Sequence, residues 1–194
     1  MHSSTAVSAA GPATVFWGEL APSEHVAQFY SGEEVLLDSL TSFVGGGLRA
    51  GESVILIATP DHLESLRQRL AAAGIDVVDA VEQGHFIALD AENTLASFMV
   101  GDWPDKDLFG KLVDRLIRRA SLNDRRVRAF GEMVALLWAR GQVAATVRLE
   151  YLWHQFCKSH EFALFCAYPK AGFTKTAKES LAEICAAHSK VIGC

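Results

Sequence analysis

Two carboxylates stand in apolar surroundings, Glu132 within Phe130-Gly-Glu-Met-Val134 and Glu150 within Arg148-Leu-Glu-Tyr-Leu-Trp153. A carboxylate among apolar side chains is costly unless it is paired, so each meets a cation or belongs to a site. Arg128 and Arg148 are the nearest candidate cations, and a structural ion pair is the plain alternative to a site. His25 and Tyr30 bracket a short apolar stretch and offer a donor and an acceptor to a neutral ligand; otherwise they are half-buried residues with satisfied hydrogen bonds. His154, Cys157 and His160 are spaced i, i+3, i+6. On a helix the third is turned about 120° from the first, so one helix cannot close a tetrahedral metal site with all three. Two of them with Cys166, or with His188, would suffice, but no paired Cys-x-x-Cys spacing supports it. No resident metal and no other cofactor is therefore expected. Cys166 stands near a strand end, where a thiol is inert unless its pKa is lowered.

Other patterns fail on polarity. A phosphate loop must leave a strand and open a helix, so that backbone N–H groups face the anion. The cluster Gly45-Gly-Gly-Leu-Arg-Ala-Gly51 instead closes a helix and leads into a strand, without a Gly-Lys-Ser/Thr ending. Phe29-Tyr30-Ser31-Gly32-Glu33-Glu34 has the right polarity, but its two carboxylates would repel a phosphate. Asp61-His62 reads as helix-start polarity before acid–base chemistry. The Gly-x-Ser-x-Gly elbow is absent, and no catalytic residue is assigned.

These residues must be positioned by a chain of 194 residues, half of them apolar and 21% charged, enough for one domain with a real core. With 18 Lys+Arg against 23 Asp+Glu the net charge is −5, which argues against binding nucleic acid directly. The Arg-rich stretch 115–128 then reads as a solvated helix face and turn. The run Met133–Ala139 falls far short of the roughly 20 apolar residues a membrane span needs. No secretory signal is read at the N-terminus, and cysteines 157, 166, 185 and 194 suit reduced thiols, so a cytoplasmic protein is expected.

Residues 1–22 read as a flexible arm, with Phe16 and Trp17 as docking exceptions, ahead of a domain over 23–192. Strands are expected at His25–Tyr30, Ser53–Ala58, Ile75–Val78, His85–Leu89, Arg126–Phe130 and, last, Phe162–Tyr168. Between them helical spacing runs from Val35 to Leu48, from Thr59-Pro60 to Gly74, over 92–100, over Leu108–Ile117, from Met133 to Ala139, from Val143 to Phe156, and over 174–190. Gly101–Asp105 reads as a loop. The alternation predicts an α/β fold with a mostly parallel sheet flanked by helices. Ligands of such sheets sit beyond the carboxyl ends of the strands.

The order of motifs carries a resemblance. His25-x-x-Gln-Phe-Tyr30, Gly-Leu-x-x-Gly-Glu52 and Ala58-Thr-Pro-Asp-His62 form the first half. Arg128-x-Phe-Gly-Glu-Met133 with Leu137-Trp138, Leu149-Glu-x-Leu-Trp153, Cys166-Ala-Tyr-Pro169 and Ile184-Cys-Ala-Ala-His188 form the second. Over roughly residues 23–192 this resembles the MEDS domain, the methanogen/methylotroph and dichloromethane-regulator sensory domain. At position 154 the pattern has Asn and this chain has His. The resemblance implies an input module of prokaryotic signalling that senses simple hydrocarbon derivatives. It also implies a RecA/KaiC-like fold, here without a functional phosphate loop.

The expectation is thus a small organic ligand at the carboxyl edge of the sheet, lined by His25, Tyr30, Glu132, Glu150, Trp153, Cys166 and Tyr168. His25, Tyr30 and Glu132 would supply polar contacts and Trp153 an apolar wall. The signal would pass to a kinase, anti-sigma or transcription-regulator partner, or to a second copy of the chain as a homodimer. The alternatives are a nucleotide-binding RecA-like enzyme with an atypical phosphate site and a ligand-free partner-switching adaptor.

Overall fold

The computed structural model describes Trp17, residues 20–172 and residues 178–193. Val-Ile-Leu-Ile at the heart of β2 (Ser53–Ala58) has no polar side, because the strand is buried along its whole length. It lies between β3 (Phe86–Asp90) and β6 (Val127–Gly131), and the sheet continues through β7 (Ala163–Pro169), β1 (His25–Tyr30) and β8 (Lys190–Ile192). All five pairings are parallel. Period-two alternation sends one set of side chains to each face. Val26, Val54, Leu56, Phe130 and Phe165 meet α1 (Glu33–Arg49), α2 (Pro60–Ala72) and α3 (Val77–Glu82). Ala27, Phe29, Ile55, Ile57, Leu164, Cys166 and Tyr168 meet α4 (Ala91–Ala96), α5 (Lys106–Ala120), α6 (Met133–Ala139), α7 (Val143–His160) and α8 (Lys178–Ala187). A two-stranded hairpin, β4 (Met99–Val100) and β5 (Trp103–Pro104), stands apart. No described helix is long and apolar enough to cross a membrane.

Four local expectations change. The helix expected over 92–100 ends at Ala96, and Met99–Val100 is the first strand of the hairpin. Ile75–Val78 is not a strand: the Asp76 carboxylate accepts a hydrogen bond from Asp79 N at 2.9 Å and caps α3. Gly101–Asp105, expected as a loop, holds the turn and second strand of the hairpin. β7 is not the last strand, because β8 follows and pairs Val26 with Lys190 and Gln28 with Ile192.

The glycine cluster 45–51 closes α1 as expected, with Gly51 at positive φ just past the Ala50 cap, but its first three glycines lie inside the helix, and Gly47 is there for want of a side chain. A Cβ on Gly47 would sit 2.6 Å from Arg128 Cδ. Through that gap the buried Arg128 donates to the backbone oxygens of Phe43 and Trp17, at 2.9 and 2.8 Å, and from Nε to Glu52 Oε2 at 2.5 Å. Arg128 is thus the partner of Glu52, and of neither Glu132 nor Glu150. The same contacts hold Trp17 against the domain, its ring 4.5 Å from Phe165 and 5.6 Å from Phe43. Trp17 and Leu20 are buried, so these two residues of the expected arm belong to the core; Phe16 lies outside the described residues.

Replacing one partner of a buried ion pair leaves the other charge uncompensated, at a cost of about 3–5 kcal/mol. Glu52→Ala is therefore expected to lower unfolding stability by about that amount, and Glu52→Gln, which keeps an acceptor, by less. Urea denaturation midpoints measure both.

Candidate functional site

The α7–α8 face of the sheet holds a buried polar cluster. His25 shares the parity of Ala27 and Phe29, so its ring turns toward α7. The register Ala27↔Cys166 and Phe29↔Tyr168 sets the thiol and the phenol on the neighbouring strand of the same face. Above them α7 presents Glu150, 1% exposed among residues that are equally covered. His188, just past α8, completes the group: Ser189 bonds His25 through backbone and hydroxyl, which fixes the turn beside that ring.

Glu150 is the hub. Tyr168 Oη donates to Glu150 Oε1. Oε2 lies 3.4 Å from His25 Nε2, 3.4 Å from His188 Nε2 and 3.7 Å from Cys166 Sγ. His25 Nε2 and Cys166 Sγ are 3.5 Å apart, and the two imidazoles pack with centroids at 3.9 Å. Desolvation first, then His188, holds His25 well below its ordinary pKa, so the ring is neutral at pH 7. Burial, reinforced by Glu150, pushes the Cys166 thiol and the Tyr168 phenol well above theirs. Neither is a ready nucleophile in this setting. The ligand atoms of His25, Glu150, Cys166 and His188 all lie within 4.8 Å of one another, the spacing of a metal-binding set.

The second group sits at the carboxyl ends of β1, β2 and β6. Glu132 leaves β6 and turns back, accepting from Thr59 N at 2.8 Å through Oε2 and from His62 Nδ1 at 2.8 Å through Oε1. His62 Nε2 faces Glu33 Oε1 at 3.3 Å. Its hydrogen bond to Glu132 outweighs desolvation and raises the His62 pKa. Burial, Glu132 and Glu33 together push Tyr30 up to about 12. The β1-to-α1 turn is Ser31-Gly32 without a side-chain cap, and Glu33 and Glu34 fill the first helical turn.

The structure therefore divides the residues expected to line one pocket. His25, Glu150, Cys166 and Tyr168 meet beneath α7, whereas Tyr30 and Glu132 stand at the carboxyl edge. Tyr30 comes five positions after His25, an odd offset, so the two point to opposite faces about 16 Å apart along the strand. Trp153 packs in apolar core, edge-on to Phe109 at 4.9 Å and beneath Gly131. Arg148 lies over the Tyr151 ring, 6.0 Å from its centroid. The 154–157–160 series scatters: the His154 ring lies 6.0 Å from His25, Cys157 donates to Phe162 O at 2.9 Å, and His160 faces Asp114 at 3.6 Å. His62 is the functional-edge residue that sequence reasoning passed over as helix-start polarity. Its signal was position alone, four residues beyond the end of β2.

A family model described as MEDS, the MEthanogen/methylotroph, DcmR Sensory domain, matches residues 24–189. No curated protein sequence matches the chain. Among solved structures, a KaiC-like protein from the hyperthermophilic archaeon Pyrococcus horikoshii is similar with a TM-score of 0.53 and 15% identity. The match covers 78% of this chain and 65% of that one, so the chain spans just under two thirds of its length. At this identity the likeness concerns the fold, a KaiC-like α/β sheet.

A raised histidine pKa stabilises the fold fully below the unfolded value of 6.5 and loses that contribution as pH rises through the folded value. The stability difference between wild type and His62→Ala is accordingly expected to be largest in mild acid and to shrink above pH 6.5. Denaturant titrations of both proteins across pH 5–9 check it; a difference that grows with pH contradicts the Glu132–His62 pairing.

Proposed function

The chain belongs to the MEDS family of sensory domains, whose model takes in residues 24–189, and on that premise we propose that it is a signalling input module that binds a small uncharged organic molecule. The observation that carries this reading is the charge at the strand-to-helix junction. In an open α/β sheet this junction at the carboxyl edge is where a phosphate would meet a helix N-terminus. Here Glu33 and Glu34 occupy that first turn, and Glu132 stands behind Tyr30. Acidic groups at this place repel an anion. They still offer hydrogen bonds to a neutral ligand, through the Tyr30 hydroxyl, the Glu132 carboxylate and the His62 ring.

Binding, in this reading, replaces turnover. The buried Cys166 and Tyr168 are held protonated, and Glu132 is engaged by Thr59 N and His62. A ligand that competed for Glu132 would loosen the tie between β6 and the start of α2, a local change able to reach the surface of α2. The recipient would be a kinase, an anti-sigma factor, a transcription regulator or a second copy of the chain. The sensory class of the family supports a recipient of this kind.

A thermal-shift series with short alcohols, aldehydes, halomethanes and ATP tests the proposal. A true ligand stabilises by RT ln(1 + [L]/Kd), about 2.7 kcal/mol at a hundredfold excess over Kd. The expected result is a concentration-dependent shift with one of the neutral probes, diminished in Tyr30→Phe and Glu132→Gln. A shift with ATP alone, or with no probe, overturns it.

A further inference from the structure

The hydrogen-bond geometry of the buried cluster turns several lone pairs toward one point. His25 Nδ1 lies 3.2 Å from Ala187 O, and His188 Nδ1 lies 2.6 Å from Ile184 O. A backbone carbonyl only accepts, so both Nδ1 atoms must carry their hydrogens. In the neutral ring the Nε2 atoms are then bare lone pairs. Both point at Glu150 Oε2, itself an acceptor, from 3.4 Å. With both rings neutral, three acceptors converge, and the single Cys166 S–H is the hydrogen among them. His188 Nε2 has no hydrogen-bond partner although the side chain is fully buried. An unmet lone pair in such a place is a substantial penalty unless a cation sits between the groups.

We propose that His25 Nε2, His188 Nε2, Glu150 Oε2 and Cys166 Sγ form a closed four-coordinate site for a divalent transition-metal ion of the zinc class. The spacing fits. A regular tetrahedron with bonds of about 2.1 Å has ligand–ligand edges of about 3.4 Å. Four of the six edges here measure 3.4, 3.4, 3.5 and 3.7 Å, and all fall within 4.8 Å. One thiolate, two imidazoles and one carboxylate oxygen make a borderline-soft set that suits zinc and excludes calcium and magnesium, which take oxygen. The outer shell is in place as well. Each imidazole is oriented by a backbone carbonyl, and Tyr168 holds Oε1 so that Oε2 faces inward. On binding, the Cys166 thiol gives its proton to solvent and the sulfur takes the metal bond.

The site is structural in kind, since four protein ligands leave no position open. It joins β1, α7 and β7 to the residue after α8, and so fastens the C-terminal segment α8–β8 to the sheet. This inference stands apart from the neutral ligand at the carboxyl edge, which uses none of the four residues.

The test uses the full chain, stripped with a chelator and titrated with Zn²⁺ and Co²⁺. One ion per chain is expected, and the Co²⁺ form should show tetrahedral visible bands with a sulfur-to-cobalt charge-transfer band. Tyr168→Phe should weaken Zn²⁺ binding roughly 10–100-fold, as loss of an outer-shell partner does, and His188→Ala by more. Cys166→Ser should abolish the charge-transfer band, and His160→Ala, at the far end of α7 beside Asp114, should leave binding intact. Folded wild-type protein that gives no such band overturns the proposal without recourse to any variant. Binding undiminished in Cys166→Ser and His188→Ala overturns it too, because the ion would then sit elsewhere. Should those variants not fold, alkylation of the wild type decides: Zn²⁺ must protect Cys166 from a thiol reagent that labels it in the stripped protein, and equal labelling counts against the site.

Discussion

A carboxylate buried in the middle of a protein, with neighbours that are neutral or hydrogen-bonding, governs this structure more than any other single group. Glu150 cannot be hydrated where it stands, so its two oxygens must find partners inside. Tyr168 serves one oxygen; His25, Cys166 and His188 crowd the other. Those partners come from β1, β7 and the residue that follows α8, parts of the chain more than 160 residues apart in sequence. Satisfying one side chain therefore organises both ends of the domain around α7. The rest of the α7 face is apolar packing, with Phe109, Trp153 and Phe162 in edge-to-face contact.

The opposite face is organised by a buried cation. Arg128 crosses α1 where Gly47 offers no Cβ and is neutralised by Glu52 and two backbone carbonyls. Together the two buried charges divide the domain: a pure ion pair on the α1 side, a mixed imidazole, thiol and phenol network on the α7 side. The carboxyl edge between them is acidic and carries the Glu132–His62–Glu33 chain. A KaiC-like sheet thus presents an acidic turn at its first strand-to-helix junction, and its most enclosed polar chemistry lies beneath a helix on one face.

Much of the fold could be read directly because local chemistry spoke for it. The run Val-Ile-Leu-Ile in β2 has the apolar continuity of a strand covered on both sides, and Pro60 starts α2 where proline costs nothing. The misreadings also have local causes. Ile75-Asp-Val-Val78 has strand-like composition, yet the Asp76 side chain caps a helix by bonding its own backbone. Lys190–Ile192 is only three residues long and becomes a strand because β1 has a free edge beside it. The glycine cluster does end α1 at Gly51, but Gly47 inside the helix has a second use that spacing does not show: it admits Arg128.

The sequence alone determined which groups were chemically costly: Glu132 and Glu150 in apolar neighbourhoods, His25 and Tyr30 at the limits of a strand, and Cys166 on another. It also carried the α/β alternation and the missing phosphate loop, since both depend on residue type and on spacing within one element. What it left open was which costly groups would meet. His25 and Tyr30 share a strand and lie on opposite faces, while His25 and His188 lie 163 positions apart and pack ring against ring. Strand order, register and the docking of α8 decide such meetings. They are set by packing between elements, to which the spacing of residues within any one element is blind.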